Sequence, residues 1–500
     1  MYKKCTELYL KLTKWTESLL LILSVFTFLF FIYKDFGIRM IYGFAILSLI
    51  VILFVIRMLL LRRAPKFSTI KTVFFVLIVI ITILVLKPGA RHDDDIRAYL
   101  FAMVIGGSVL VFAEPTKKEI RLTFGFITVT ATLLSAYILF FSYFQDLYFK
   151  TAWKLLSNTT QSLAKHYIPR GYGVPVGSYT YPGYYIMLAL PITLGRLLIC
   201  KKKLSVRIAD IVSSYIMLLA LFVEGRRGEL LGGLGACLLI FVCSVEFRIP
   251  RKIVRRFISL ILVMLTVVLL VIGLNSLGMV ERYASTLEIL AVTGYDPYDA
   301  NADRPDSPKT DNAAIPQTST GMKEISSGRF ELWDIAWTQF KENPVTGIGW
   351  GRFADHVTEE FKKQHGAGGV DNILYVHNTF LELLCETGIV GTLLIFIPIL
   401  YFLFAMLAQA YRLRRLRKKP DNYEFVSLLN LASIGTQSFL FAIGMLDTTF
   451  YHTKFWLFYD ISLIFAIAAL WEERDVTKSW LVRKSEGLWG HICKRFNKVS

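Results

Sequence analysis

Apolar residues fall along this chain in long runs, and the runs are separated by short polar segments that are often rich in Lys and Arg. Twelve runs are long enough to cross a bilayer, at 19–33, 40–61, 72–86, 98–113, 122–144, 183–199, 208–223, 229–247, 257–275, 387–410, 424–445 and 455–471. A hydrocarbon core about 30 Å thick takes roughly 20 helical residues, so the shorter runs must borrow interfacial residues on either side. The first run has no small-residue cleavage site and others follow at once, which reads as a retained span and not a signal peptide. The pattern predicts an all-α polytopic membrane protein with about twelve transmembrane helices.

Composition and charge sharpen this picture. The 500 residues carry 56 Lys+Arg against 38 Asp+Glu, a formal charge of +18, with 54% apolar and only 19% charged residues. A soluble enzyme, a disordered chain and a DNA-binding domain are all excluded by so little charge and so much apolar sequence. The basic clusters fix orientation. Lys3, Lys4, Lys11 and Lys14 precede the first run; Arg62, Arg63 and Lys66 follow the second; Lys117, Lys118 and Arg121 follow the fourth. Lys201, Lys202 and Lys203 follow the sixth, Arg251, Lys252 and Arg255 the eighth, and Arg412, Arg414, Arg415 and Arg417 the tenth. With twelve spans and both termini cytoplasmic, every cluster falls on the cytoplasmic side. The expected organisation is helices one to nine in 1–275, a large extracytoplasmic loop domain in 276–386, helices ten to twelve in 387–471 and a basic cytoplasmic tail in 472–500, attracted to anionic lipid. The six cysteines show no CxxC or Cys/His metal spacing and read as free thiols.

In the large loop, 296–320 is rich in Asp, Pro, Asn, Ala and Thr and reads as a surface insert. Ser326-Ser327-Gly328 can then cap a helix in which Phe330, Trp333, Trp337 and Phe340 repeat at three and four, an amphipathic pattern suited to a membrane surface. Asn343-Pro344 ends it, and Gly347, Gly349 and Gly351 follow as a tight turn.

The chemistry-bearing residues are cations on the extracytoplasmic side. Glu224-Gly225-Arg226-Arg227-Gly228-Glu229 joins runs seven and eight, against the positive-inside trend. One reading is a salt-bridged turn using Glu224 and Glu229. The other is an anion site, because the planar guanidinium gives bidentate bonds to phosphate and stays charged, while flanking glycines let backbone approach a ligand. Arg329 opens the loop helix, and Arg170 lies on the same side in Ile168-Pro169-Arg170-Gly171; each could equally be an interfacial cation. His377 begins a new helix, with Thr379 and Glu382 spaced as a capping box. Asp447, at the outer end of run eleven, could pair with an arginine or bind substrate, although a structural role is the simpler reading.

At His377 the pattern becomes specific. His377-Asn378 is followed, after nine intervening residues, by Gly388-Ile389-Val390-Gly391, an arrangement that resembles the signature of the O-antigen ligase and O-antigen polymerase superfamily. Arg329 with Trp333, then Pro344, Gly347, Gly349 and Phe353, is similar to that family's Arg-x3-Trp…Pro-x2-Gly-x-Gly-x3-Phe stretch, and Arg227-Gly228 to its Ser-Arg-Gly segment, with Arg226 in place of the serine. The resemblance covers roughly residues 165–470. It implies an inverting, GT-C-type glycosyltransferase of the bacterial inner membrane, with its active site on the periplasmic face. The implied donor is a glycan on undecaprenyl diphosphate. A ligase passes that glycan to lipid A–core, and a polymerase passes it to another carrier-linked unit. The resemblance makes His377 the catalytic residue and Arg227 and Arg329 the diphosphate-binding arginines. Arg170 follows as a looser counterpart, with Asn378 and Arg226 in support. No cofactor and no metal is expected, and nucleic acid is no partner. Ligase is the preferred expectation, polymerase the alternative. A transporter of lipid-linked glycan is the reading from another class, disfavoured because the candidate charges sit at one face and not at mid-membrane.

Overall fold

The computed structural model describes residues 19–32, 48–49, 51–56, 59, 69–86, 115–158, 161, 168, 174, 182–200, 203–224, 226–244, 329–357, 375–416, 419–450 and 455–472. The described residues are helices and their connections, with no strand among them. In chain order the helices are α1 (Leu19–Ile32), α2 (Thr69–Leu86), α3 (Lys117–Tyr143), α4 (Gln145–Lys150), α5 (Pro182–Ile199), α6 (Leu204–Val223), α7 (Arg227–Ser244), α8 (Arg329–Glu342), α9 (Thr379–Arg415), α10 (Tyr423–Gly444) and α11 (Phe455–Glu472). Six of them, α3, α5, α6, α9, α10 and α11, are long and apolar enough to cross a membrane, and α2 and α7 contain shorter apolar helices. The expected runs 98–113 and 257–275 lie outside the described residues, as do most of 40–61, the insert at 296–320, the cap at 326–328 and the tail beyond 472.

Burial sorts the helices into centre and periphery. In α10 and α11, 83% of the apolar stretch is buried, against 39% in α3 and α6. The central helices carry small and polar residues that let backbones approach and then bond. Asn430 of α10 donates to Gln409 of α9 at 2.8 Å, Gln409 donates to the Ala469 carbonyl at 2.9 Å, and Ser433 donates to the Ser462 carbonyl at 2.8 Å. Without water to serve these groups, each must find a partner inside the bundle. Gly435 lies so close to Pro191 of α5 that a Cβ there would meet the ring at 2.7 Å. Arg196 of α5 bridges Asp210 of α6 at 2.5 Å. The outer helix α3 starts with the capping box of Thr116 and Glu119, and its exposed face of Leu122, Val129, Leu133 and Phe140 suits lipid.

The helix ends form two distinct faces. At one, Arg414 of α9 donates to the Val242 carbonyl near the end of α7, and Lys117 at the start of α3 pairs with Glu472 at the end of α11. At the other meet the starts of α5, α7 and α9 and the end of α10. The candidate residues are at this second face.

Candidate active site

Asn378 sets the geometry of the first strip of the site. Its backbone is extended (φ −156°, ψ 106°), and its side-chain oxygen accepts from the N–H groups of Phe380 (3.0 Å) and Leu381 (3.1 Å), so Asn378 is the N-cap of α9. The capping box expected from Thr379 and Glu382 is not formed. With the carboxamide already serving the free N–H groups, Thr379 lies inside the first turn and bonds outward. It donates to the Asp447 carbonyl (2.8 Å) and accepts from the Thr449 N–H (2.8 Å). The first turn of α9 is thereby sewn to the loop after α10.

His377, just before the cap, has φ 53°, a left-handed backbone that a side chain rarely adopts, and the described residues hold no other non-glycine with positive φ. Its N–H donates to Thr448 Oγ1 (3.1 Å), and the Thr448 hydroxyl in turn donates to the buried Glu382 carboxyl. Its Nδ1 lies 3.1 Å from Asp447 Oδ1, which also accepts from the Thr448 N–H at 2.9 Å. The His377 side chain is 41% exposed, so one ring edge is fixed and the other is open. Asp447 is therefore the partner of the histidine, a role that sequence reasoning left aside. The signal was available: an acid at the end of a span, on the same face as the histidine.

Helix α8 crosses over both residues. Arg329 Nη1 donates to the Leu446 carbonyl (2.8 Å), next to Asp447, and Trp333 Nε1 donates to the Val376 carbonyl (3.0 Å), next to His377. One helical turn thus spans both halves of the dyad, which explains why Arg and Trp stand four apart. The helix buries Leu332 and Ala336, with Trp333 and Ile335 beside them, against Val376 and Cys385, and it leaves Phe330 and Trp337 exposed. Of the stripe expected to suit a membrane surface, Phe330 and Trp337 are exposed, while Trp333 is partly buried against the protein. Leu332 and Ala336 form the buried contact of α8, and Arg329 and Trp333 add its two hydrogen bonds. Burial pushes the Arg329 guanidinium below the usual arginine range; Asp447 opposes this and Arg226 adds to it. Arg329 and Arg226 accordingly act on the same space, and both remain charged.

In the turn before α7, Arg226 Nη1 meets Glu229 Oε1 at 3.4 Å, and Glu229 Oε2 accepts from the Gly183 N–H at the start of α5 (3.1 Å). Of the salt-bridged turn read from Glu224 and Glu229, the Arg226–Glu229 half is formed. Glu224 is buried beside Glu229; burial pushes its carboxyl well above the usual range, repulsion from Glu229 adds to this, and Arg226 opposes it. Arg227 opens α7 at the same end of the bundle, with its side chain outside what is described, and Arg170 lies outside the described residues. His377, Asn378, Arg226 and Arg329 are thus brought to one end of the bundle.

The glycines explain the spacing that follows the histidine. Helix α9 kinks at Gly388 (φ 65°, ψ −173°), and Gly347 also has φ 65°. A Cβ on Gly388 would meet the Val345 backbone at 2.3 Å, and one on Gly347 the Glu386 backbone at 2.3 Å. The two segments are cross-bonded: Ile348 and Gly349 donate to the carbonyls of Cys385 and Glu386 (3.0 and 2.8 Å), and Ile389 donates to that of Pro344 (2.9 Å). The buried Glu386 carboxylate accepts from the N–H groups of Gly351 (2.7 Å) and Phe353 (3.0 Å). Two glycine motifs far apart in sequence form one joint that supports α8 and the His377 turn together.

Beneath Thr379 lies a cavity of about 20 Å³ walled by Phe380, Phe396, Phe441 and Phe450, with Phe380 stacked on Phe396 at 4.5 Å. The floor of the site is thus aromatic.

Residues 212–396 match the family model described as O-antigen ligase. No curated protein matches the chain. The matched segment includes Arg226, Arg227, Arg329, His377 and the glycine joint, and ends before Asp447. Enzymes with this domain are ligases or polymerases that act on lipid-linked glycans. The similarity is confined to this segment, which includes parts of helices long and apolar enough to cross a membrane.

Proposed function

We propose that this protein is an inverting membrane glycosyltransferase of the O-antigen ligase type. It moves a glycan from an undecaprenyl diphosphate carrier to a hydroxyl of lipid A–core on the periplasmic face of the inner membrane. The observation that carries this reading is the His377–Asp447 pair, Nδ1 to Oδ1 3.1 Å, with Arg329 bonded to Leu446, the next residue along. When Nδ1–H donates to Asp447, Nε2 keeps its lone pair and faces the open side as a base. The acceptor hydroxyl is a poor nucleophile; as its oxygen bonds to the anomeric carbon, its proton passes to His377 Nε2. The bond from that carbon to the diphosphate oxygen breaks, and the electron pair leaves with the diphosphate. That leaving group is already acidic and needs charge neutralisation more than a proton, which suits Arg329, Arg226 and Arg227, with Arg170 as a further candidate. Attack from the face opposite the diphosphate inverts the centre. Donor and acceptor share one leaflet, so the membrane supplies proximity.

The test supplies purified protein with carrier-linked glycan and either lipid A–core or a second carrier-linked unit. New lipid A–core glycan is expected, and His377→Ala is expected to fold while its kcat falls by about 10²–10⁴-fold, the usual contribution of a general base. Lengthening of the carrier-linked chain alone would make the protein a polymerase. Passage of donor across vesicles with no new glycosidic bond would make it a transporter.

A further inference from the structure

The His377–Asp447 chemistry leaves the buried acids at the start of α7 without a task. Glu229 is 3% exposed, yet its carboxylate makes two bonds to different elements: Oε2 accepts from the Gly183 N–H at the start of α5, and Oε1 meets Arg226 at 3.4 Å. The space it fills is reserved for it. A Cβ on Gly183 would lie 2.0 Å from Oε2, so a residue with any side chain at 183 would expel the carboxylate. Asp447, the histidine's partner, acts electrostatically on both Glu229 and Arg329, and Arg226 acts on Arg329, which puts this acid within reach of the same cations.

We infer that Glu229 is a positioning residue for the diphosphate: it fixes Arg226 to the start of α5, so that the guanidinium faces the donor already oriented. The assignment rests on the diphosphate-donor reading above. A carboxylate suits the task because it accepts along two directions at once, one for an N–H that cannot move and one for the arginine. Glu224 is buried behind it, and burial with repulsion from Glu229 pushes its carboxyl well above the usual range, while Arg226 opposes this. An arginine already held costs less ordering when the donor binds, so the effect belongs in donor affinity and not in the chemical step.

Glu229→Gln keeps an oxygen for Gly183 and removes the charge that holds Arg226. The donor KM is expected to rise by about tenfold or more, the scale of one lost charge-assisted hydrogen bond, while kcat at saturating donor stays within about twofold of wild type. Gly183→Ala, which displaces the same carboxylate without touching its charge, is expected to raise the KM in the same way. His377→Ala should show the opposite split, losing kcat and retaining donor affinity. Calorimetric titration with inorganic pyrophosphate reads the same contact without catalysis: Glu229→Gln should bind it more weakly than wild type, with an unchanged unfolding temperature. Wild-type KM and wild-type pyrophosphate affinity in both Glu229→Gln and Gly183→Ala would overturn the assignment and leave the transferase reading standing. Weaker pyrophosphate binding by Glu229→Gln in a protein that transfers no glycan would overturn the transferase reading and leave Glu229 in its place. A wild type that binds no diphosphate would overturn both.

Discussion

His377 stands in a left-handed backbone conformation, a strained state that persists only where the surroundings dictate it. Three groups do so here: Thr448 accepts its N–H, Glu382 accepts from Thr448, and Asp447 meets its ring. Asn378, the next residue, is occupied in capping α9, so its contribution is to fix where the helix begins. In Asp447→Asn, a carboxamide can still meet Nδ1 but no longer favours the Nδ1–H form or stabilises the imidazolium formed on proton uptake. We expect kcat to fall by about 10²-fold, less than for loss of the histidine, with donor KM nearly unchanged. Steady-state kinetics with donor varied at fixed acceptor would check this; a kcat equal to wild type would remove Asp447 from the mechanism.

At the scale of elements, the joint between the Gly347 turn and the Gly388 kink holds the site together. The turn belongs to the segment that carries α8 with Arg329 and Trp333, and the kink belongs to the helix that begins at His377, so their interlock fixes arginine against histidine. Gly388→Ala would set a methyl 2.3 Å from the Val345 backbone and demand φ 65° of an alanine. Backbone cannot yield as a side-chain tip can, so the segments must part. We expect a loss of about 1–3 kcal/mol in stability, the usual range for a strained backbone site, together with a larger fall in transfer than in expression. Thermal unfolding in detergent and transfer by the same preparation would show it, and wild-type values in both would refute the joint. The glycines were legible as a motif, and so was the histidine. The joint between them was not, because it consists of backbone bonds between segments about forty residues apart, to which any sequence contributes the same N–H and C=O groups. Asp447 was passed over for a related reason: an acid at a helix end is common, and only the fold puts it against one particular imidazole.

The described residues divide their charges between two faces of the bundle, and α9 runs from one to the other. The apolar runs place α5, α10 and α11 to within a residue, but fall short of α9 by eight residues at its start and five at its end, where polar and basic residues extend the helix beyond the apolar stretch. The packing order was hidden, because α10 and α11 look no more apolar than their neighbours and are central through small and polar side chains. From its kink at Gly388 to Arg415, α9 covers about 40 Å at 1.5 Å per residue, more than a hydrocarbon core about 30 Å thick. We expect His377 and the Arg412–Arg415 cluster to lie on opposite sides of the bilayer, with the basic end in the cytoplasm. Val345, exposed on the glycine turn, and Arg412, exposed at the far end of α9, report the two sides. In spheroplasts, a membrane-impermeant thiol reagent should modify Val345→Cys before lysis and Arg412→Cys only after it. Background from native thiols is low on the active face, where Cys385 is buried, whereas Cys200 lies at the end of α5 remote from Gly183. Labelling of Arg412→Cys alone in unlysed spheroplasts would invert the protein, and with it the side from which the donor glycan must reach His377.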